Sequence, residues 1–244
     1  MKLLVHGATG RMGGAMLRCI AEKLPEAEAI PVAIDAVDGY RHLSEYPGQA
    51  DCVVDFSNHT ATFELIDYCR KRKTPVVIAT TGQTEQELAC IRQASKEIPV
   101  FLSANMSLGV AILIRLARQT AKVFPDADIE IVETHHNQKL DAPSGTALAI
   151  ARGIQEVRPK ATLHCGRNGY GKRTEEEIGI HALRMGSAVG IHEVHICTGS
   201  QTITLRHEAH DRSLFADGAL EAAKFLIGKP AGFYEIQNLL QEEE

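Results

Sequence analysis

The sequence predicts an α/β protein: a doubly wound parallel sheet, followed by an α+β domain with an open mixed sheet. Three observations predict it. Short apolar runs alternate with helix-period segments through the first hundred residues. A glycine-rich turn joins the first run to the first helical pattern. Beyond Asn105 the alternation gives way to long amphipathic helices and to strands with period-two patterning.

The elements follow in order. "KLLVH" reads as a strand, "GGAMLRCIAEKL" as a helix, "AIPVAID" and "CVVDF" as strands, and "TATFELIDYCRK" as a helix. "PVVIA" is a strand, "EQELACIRQAS" a helix and "PVFLS" a strand. This βαβ…βαβαβ order calls for parallel strands with helices on both faces. "LGVAILIRLARQTAKVF" is then a long helix, "DIEIVETHH" a half-covered strand and "SGTALAIARGIQEV" a second helix. A glycine-rich loop, "HCGRNGYGKR", precedes the strands "IGIHALRM", "HEVHICT" and "TITLRHEA", and the helix "SLFADGALEAAKFLIG" closes the pattern. The acidic end "QEEE" reads as a frayed terminus. A domain boundary is expected near residues 105–108.

Composition narrows the function. The chain has 244 residues, 44% hydrophobic and 23% charged, enough for a substantial core. A formal net charge of −5 supplies no basic field for nucleic acid or anionic lipid. The expected partner is a small molecule, with no nucleic acid and no membrane. No segment has about 18 consecutive apolar residues, and "KLLVHGATG" at the start lacks a signal-peptide run. The six cysteines form no CxxC pair and read as mostly buried free thiols of a reducing compartment. The expectation is a cytoplasmic protein.

"HGATGRMGG" places Gly7, Gly10 and Gly13 where the first strand meets the first helix. Glycines there allow a tight turn and close approach of a pyrophosphate to the helix N-terminus. Thr9 stands where the usual G-x-G-x-x-G motif has its second glycine. The second strand is read as ending at Asp35, 22 residues after Gly13, which suits a carboxylate on the adenosine ribose hydroxyls. These features make the first domain Rossmann-like. No arginine adjoins Asp35, and Arg11 and Arg41 are the nearby cations, so the local chemistry leans to NADH, with NADPH also admitted. Two further strand ends, Ala79-Thr80-Thr81-Gly82 and Ser103-Ala104-Asn105-Met106, are expected to face the nicotinamide half.

"ETHHNQKLDAPSGTA", residues 133–147, admits four readings. A zinc site is disfavoured, because adjacent histidines on a strand point to opposite faces and no cysteine cluster is near. A solvated turn is a second reading. A structural start to the next helix, with Pro143 in the turn and Ser144 as cap, is a third. The fourth is an anion-binding acid/base site. In it Lys139 supplies charge, Gly145 and Thr146 hold a carboxylate at a helix N-terminus, and a histidine moves a proton. No metal is expected.

The same stretch resembles the signature of the dihydrodipicolinate reductase family, E-x-x-E-x-H-H-x-x-K-x-D-A-P-S-G-T-A, met at every fixed position from Glu130 to Ala147. "GATGRMG", "DFS", "TTG", "SANMSLGV", "GRNGYGKR", "ALRMGSAVGIHEV" and "SLFADGALEAAKFL" extend the resemblance over nearly the whole chain. It implies NAD(P)H-dependent reduction of 4-hydroxy-tetrahydrodipicolinate, with loss of water, to tetrahydrodipicolinate in the diaminopimelate route to lysine. It implies His135 as acid/base residue, Lys139 as proton donor, and His136, Gly145 and Thr146 as binders of a dicarboxylate. By resemblance, Gly7, Ala8, Thr9, Gly10, Arg11, Met12, Asp35, Ala79–Thr81 and Ser103–Met106 line the cofactor. It also implies a homotetramer joined through the second domain, and final helices that return to the first. The resulting domains are 1–106 with 216–244, and 107–215.

Three positions depart from the family pattern. Ala79 replaces a glycine, Met106 stands where phenylalanine is common, and no arginine follows Asp35. The loop from Ala36 to Gln49 must cover the adenosine side with few residues. His181, His192, His195, His207 and His210 read as sheet or interface packing, whereas Arg184 is expected to face the substrate. Rival functions are another Rossmann oxidoreductase acting on an amino-acid-derived substrate, which would need its own nucleophile or base, typically a reactive cysteine, and a nucleotide sensor without catalysis.

Overall fold

The computed structural model describes residues 1–240, so the acidic end at 241–244 lies outside the described residues. In chain order the elements are β1 (Lys2–His6), α1 (Arg11–Lys23), β2 (Glu28–Val32), β3 (Cys52–Asp55), α2 (Thr62–Arg72), β4 (Val76–Ile78), α3 (Glu85–Ala94) and β5 (Pro99–Leu102). There follow α4 (Leu108–Val123), β6 (Asp128–His135), α5 (Gly145–Gln155), β7 (Thr162–Cys165), β8 (Glu177–Arg184), β9 (Gly190–Cys197), β10 (Thr202–Ala209), α6 (Ser213–Leu226) and β11 (Gly232–Tyr234). The chain divides into two compact units, one from Met1 to Leu108 that resumes at Arg212, the other Gly109–Asp211.

The first unit holds a six-stranded sheet of order β11-β5-β4-β3-β1-β2, parallel at every pairing. Each strand feeds side chains to both faces, as the near-continuous apolar runs require. Leu3, Val5, Val54, Val77 and Phe101 pack with Met16 and Ile20 of α1 and Ala219 and Leu220 of α6. Leu4, Val53, Val76, Ile78 and Val100 pack on the other face with Leu65 and Ile66 of α2 and Ile91 of α3. The strand order reverses between β1 and β3, and ligands of doubly wound sheets sit beyond the carboxyl ends at such a point.

The second unit holds a five-stranded sheet of order β10-β9-β6-β8-β7. β6, β8 and β7 run parallel, while β9 is antiparallel to β6 and β10, so the sheet is mixed. One face is apolar, with Ile129, Ile131, Ile178, Ile180, Val194 and Ile196 packed under Leu113 and Ala117 of α4 and Ile150 and Ile154 of α5. The other face is polar, where Glu130 meets His181 at 2.8 Å and Glu193 meets Arg206 at 2.9 Å.

Several boundaries differ from the sequence expectation. β2 ends at Val32, three residues before Asp35, because the chain turns there: Ala36 N–H bonds Ala33 O at 2.9 Å. Tyr40 then folds back on β2, exchanging bonds with Pro31 and Ala33. The short edge strands β7 and β11 escaped the sequence reading, since neither shows a buried alternation. Of the cysteines, Cys19, Cys52 and Cys69 are buried and Cys90 is half-buried, but Cys165 and Cys197 are exposed, so burial is less general than expected.

Candidate active site

The glycine turn of the first unit has the geometry of an anion cradle. Gly7 lies at φ +79°, and a Cβ there would come within 2.6 Å of the Phe56 carbonyl oxygen. A Cβ on Gly13 would come within 2.1 Å of Gly7 O, so α1 packs against the turn only because position 13 lacks a side chain. Gly10 caps α1 without a side-chain hydrogen bond. The first-turn N–H groups, on Arg11, Met12 and Gly13, therefore have no intrahelical acceptor and no cap. Gly7 and Ala8 differ: their N–H groups both bond Val32 O, at 2.9 and 3.2 Å, so Ala8 serves the turn itself.

Thr9 donates its hydroxyl to Asp35 Oδ1 at 2.6 Å, which joins the position of the missing second glycine to the carboxylate expected to meet ribose hydroxyls. Arg41 Nε donates to Ile34 O at 3.0 Å, one residue before Asp35. At the switch point, His6 Nδ1 lies 2.9 Å from Asp55 Oδ1, and Ser57 also bonds that carboxylate. This polar cluster was not foreseen, because its members belong to separate strands.

Beyond the carboxyl ends of β4 and β5 lies a cavity of about 410 Å³ lined by Thr80, Thr81, Gln83, Ser103, Ala104 and Gln237, among others. Thr80 is 8% exposed, and its hydroxyl has no hydrogen-bond partner. An unpaired buried hydroxyl on a cavity wall is a feature a polar ligand would satisfy. Ser103 and Asn105 bond each other, and Asn105 Oδ1 accepts from Ser107 N–H at 2.9 Å. Met106 corrects an expectation. It is 2% exposed and packed in the core, so its side chain is not on the cavity wall. Ala79 is packed against the same core. The glycine cradle, first-turn N–H groups and unpaired Thr80 hydroxyl together fit a nicotinamide dinucleotide.

The second unit gathers the remaining site residues where β6 ends and α5 begins. His135 and Glu133 continue the helix-covered face of β6 that carries Ile129 and Ile131. His135 Nδ1 lies 2.6 Å from Glu133 Oε2. Glu133, fully buried, also accepts from Arg184 Nη1 and Nη2 at 2.8 Å each and from Ser144 N–H at 2.9 Å. Burial alone would raise its carboxyl pKa, but Arg184, His135 and Ser144 together hold it below the usual range. Burial lowers the His135 pKa, outweighing Glu133, and the Lys139 and Arg184 charges add to that direction. The lowered pKa favours the neutral imidazole.

Ser144 caps α5 by accepting from Ala147 N–H at 3.2 Å, and its hydroxyl also meets His192 Nε2 at 3.1 Å. Gly145 opens the helix with open space where a side chain would project, and Thr146 follows it in the first turn. Lys139 Nζ pairs with Asp141 Oδ1 at 2.8 Å. His136 donates its N–H to Ala188 O at 2.8 Å, and Met185 N–H bonds His135 O at 2.9 Å, so the β8–β9 loop braces the end of β6.

One placement differs from the sequence reading. Arg184 was expected to face the substrate, but its guanidinium is committed to Glu133 and to the Leu183 and Asp141 carbonyls. His192, read as packing, does pack within the sheet. It is buried beside His135, ring centroids 5.2 Å apart, and burial drives its pKa down to about 4. Register decides both: His135 pairs with Arg184 across β6–β8, and Glu133 with His192 across β6–β9.

A nucleotide-cradling doubly wound unit, joined in one chain to a unit whose buried carboxylate–histidine pair meets the cap of a helix, defines the class of nicotinamide-nucleotide-dependent oxidoreductases. Comparison with known proteins narrows this. Residues 1–106 match the family model "Dihydrodipicolinate reductase, N-terminus", and residues 109–240 match "Dihydrodipicolinate reductase, C-terminus". The chain is 45% identical to a 4-hydroxy-tetrahydrodipicolinate reductase of Caldanaerobacter subterraneus subsp. tengcongensis, covering 99% of each chain. It is 42% identical to one of Alkaliphilus oremlandii, covering 98% of each. A dipicolinate-bound dihydrodipicolinate reductase from Paenisporosarcina sp. TG-14 superposes with a TM-score of 0.76 at 25% identity, over 96% of this chain and 97% of that one. The chain belongs to the dihydrodipicolinate reductase family, the NAD(P)H-dependent reductases of the diaminopimelate route to lysine.

Proposed function

We propose that this chain reduces 4-hydroxy-tetrahydrodipicolinate to tetrahydrodipicolinate, with loss of water, through His135 and Lys139. The observation that carries the assignment is the buried His135–Glu133 pair at 2.6 Å beside the N-terminus of α5. The dicarboxylate substrate is held by Gly145 and Thr146 at the positive end of the α5 dipole, with His136 as a further anchor. Nicotinamide, when bound, supplies a hydride. Electron density arriving on the substrate ring must be matched by a proton. Lys139 delivers it as a cation, and neutral His135 moves protons at Nε2. The first unit binds the dinucleotide through Gly7, Thr9, Gly10, Arg11, Met12 and Asp35, with Thr80, Thr81, Ser103, Ala104 and Asn105 toward the nicotinamide.

NADH is used at least as well as NADPH, because Asp35 suits ribose hydroxyls and repels a 2′-phosphate. The protein works as a cytoplasmic homotetramer joined through the polar sheet face of the second unit, which light scattering at micromolar concentration tests. The reductase reading is favoured over a cysteine-dependent semialdehyde enzyme, since burial and the Asp217 carboxylate push the Cys19 thiol up to about 12 and burial raises those of Cys52 and Cys69.

The deciding experiment is nucleotide oxidation coupled to dihydrodipicolinate synthase, pyruvate and aspartate semialdehyde. His135→Gln and Lys139→Met lower kcat by roughly 10²- to 10⁴-fold with NADH binding intact. Thr146→Val mainly raises KM. If folded His135→Gln and Lys139→Met both keep more than about half of wild-type kcat, far above the loss of a positioned acid, the assignment is wrong.

A further inference from the structure

We propose that Glu133 is a positioning residue of the reaction: its buried carboxylate sets the tautomer of His135 and ties that histidine to the helix N-terminus that holds the substrate. The proposal rests on the roles given above to His135 and to Gly145–Thr146. Two donors reach each carboxylate oxygen. Oε1 accepts from Arg184 Nη2 and Ser144 N–H, and Oε2 from Arg184 Nη1 and His135 Nδ1. A carboxylate offers about four lone-pair sites, so Glu133 is saturated and has none left for a substrate.

An ionised carboxylate only accepts. The His135 proton therefore sits on Nδ1, and Nε2 is the atom left to exchange protons. Gly190 of β9 leaves room for that atom, since a Cβ there would come within 3.0 Å of Nε2.

The charged and titratable groups around His135 support this division. From β8, Arg184 pairs with Glu133 at 2.8 Å, and burial, with a smaller push from Lys139 and Arg184, outweighs the carboxylate's pull on the His135 proton. From β9, His192 is occupied by Ser144, and His207 lies opposite His192 on β10. From the loop come Lys139 and Asp141, already paired. Arg184 thus acts through Glu133 rather than on the substrate. Ser144 closes the arrangement, because one residue bonds Glu133, caps α5 and meets His192.

The test reads the tautomer directly. Two-bond ¹H–¹⁵N correlation spectra of the full-length protein resolve histidine tautomers, and the His135 signals are those lost in His135→Gln. Wild type is expected to show His135 as the Nδ1–H form. In Glu133→Gln the amide oxygen takes the Oε1 place, where two fixed donors, Arg184 Nη2 and Ser144 N–H, meet it, against one, Arg184 Nη1, at Oε2. Its NH₂ then faces His135 and drives it to the Nε2–H form. That variant should lose at least about 100-fold in kcat, as when a triad carboxylate is replaced by its amide, with substrate KM and NADH affinity within twofold. Glu133→Asp, which keeps the acceptor, should retain the Nδ1–H form and recover part of the rate. The proposal is overturned if wild-type His135 is the Nε2–H form, or if folded Glu133→Gln keeps the wild-type tautomer or a kcat within threefold of wild type. Should Glu133→Gln not fold, the wild-type and Glu133→Asp spectra decide. Normal turnover by His135→Gln would instead refute the acid/base reading, which the tautomer spectra do not depend on.

Discussion

Replacing Arg184 by methionine isolates the electrostatics of the second unit. The stem volume is kept and the guanidinium is lost, which strands the fully buried Glu133 carboxylate with only His135 and Ser144 as donors. Removing one partner of a buried ion pair costs about 3–5 kcal/mol. The Arg184 side chain is 19% exposed, so some of its charge is screened and about 3 kcal/mol is the working figure. The sign of the pH dependence follows from linkage. In the wild type, the lowered Glu133 pKa contributes stability that is present above the unfolded carboxylate pKa and lost as pH falls through the folded one. In Arg184→Met that depression is relieved, and either Glu133 takes up a proton or His135 keeps one. Both changes make the folded state bind more protons than the unfolded state. The penalty should therefore be largest near pH 8 and smaller near pH 5.5. Hydrogen exchange at the β6 amides measures the opening free energy of this unit directly. A penalty below about 1 kcal/mol, well short of the buried-pair range, or one that grows on acidification, would refute the reasoning.

Two further predictions concern the nucleotide unit. Gly10→Val crowds the cradle, where even a Cβ lies 3.2 Å from Gly7 O, and should weaken NADH binding at least about tenfold, or roughly 1.4 kcal/mol, by fluorescence titration; unchanged affinity in a folded variant would show that the pyrophosphate sits elsewhere. Arg41→Ala removes the cation held beside Asp35 and should lower kcat/KM for NADPH about tenfold, the worth of one good charged hydrogen bond, while NADH stays within about twofold. Equal losses with both nucleotides would mean that Arg41 merely holds the loop.

The proposed catalytic stretch was legible because its chemistry is local. His135, Lys139 and the Ser144 cap fall within ten residues, and a strand end followed by a helix start needs no distant partner. The glycine turn was legible for the same reason. Met106 misled because a polar-turn pattern beyond a strand does not reveal which residue turns inward, and the core took its side chain. Arg184 misled because a lone arginine at the end of a strand carries no mark of its partner. Glu133 stands in the same motif as His135, yet alternation alone places it on a core face, where an unpaired carboxylate would be excluded.

The sequence by itself determined the order of the helices and the longer strands, the glycine turn after the first strand, and the class of chemistry, since each is written in residues close along the chain; the edge strands β7 and β11 were not among them. Tertiary structure decided what pairs across strands. The registers of β6 with β8 and with β9 bring Arg184 and His192, about fifty residues away, to Glu133 and His135. A one-residue slip in either register would send those side chains to the opposite face of the sheet. No local pattern specifies such a register. It is fixed by packing Ile129, Ile131, Ile178, Val194 and their neighbours under α4 and α5, so the same core that stabilises the unit gives its buried carboxylate its partners.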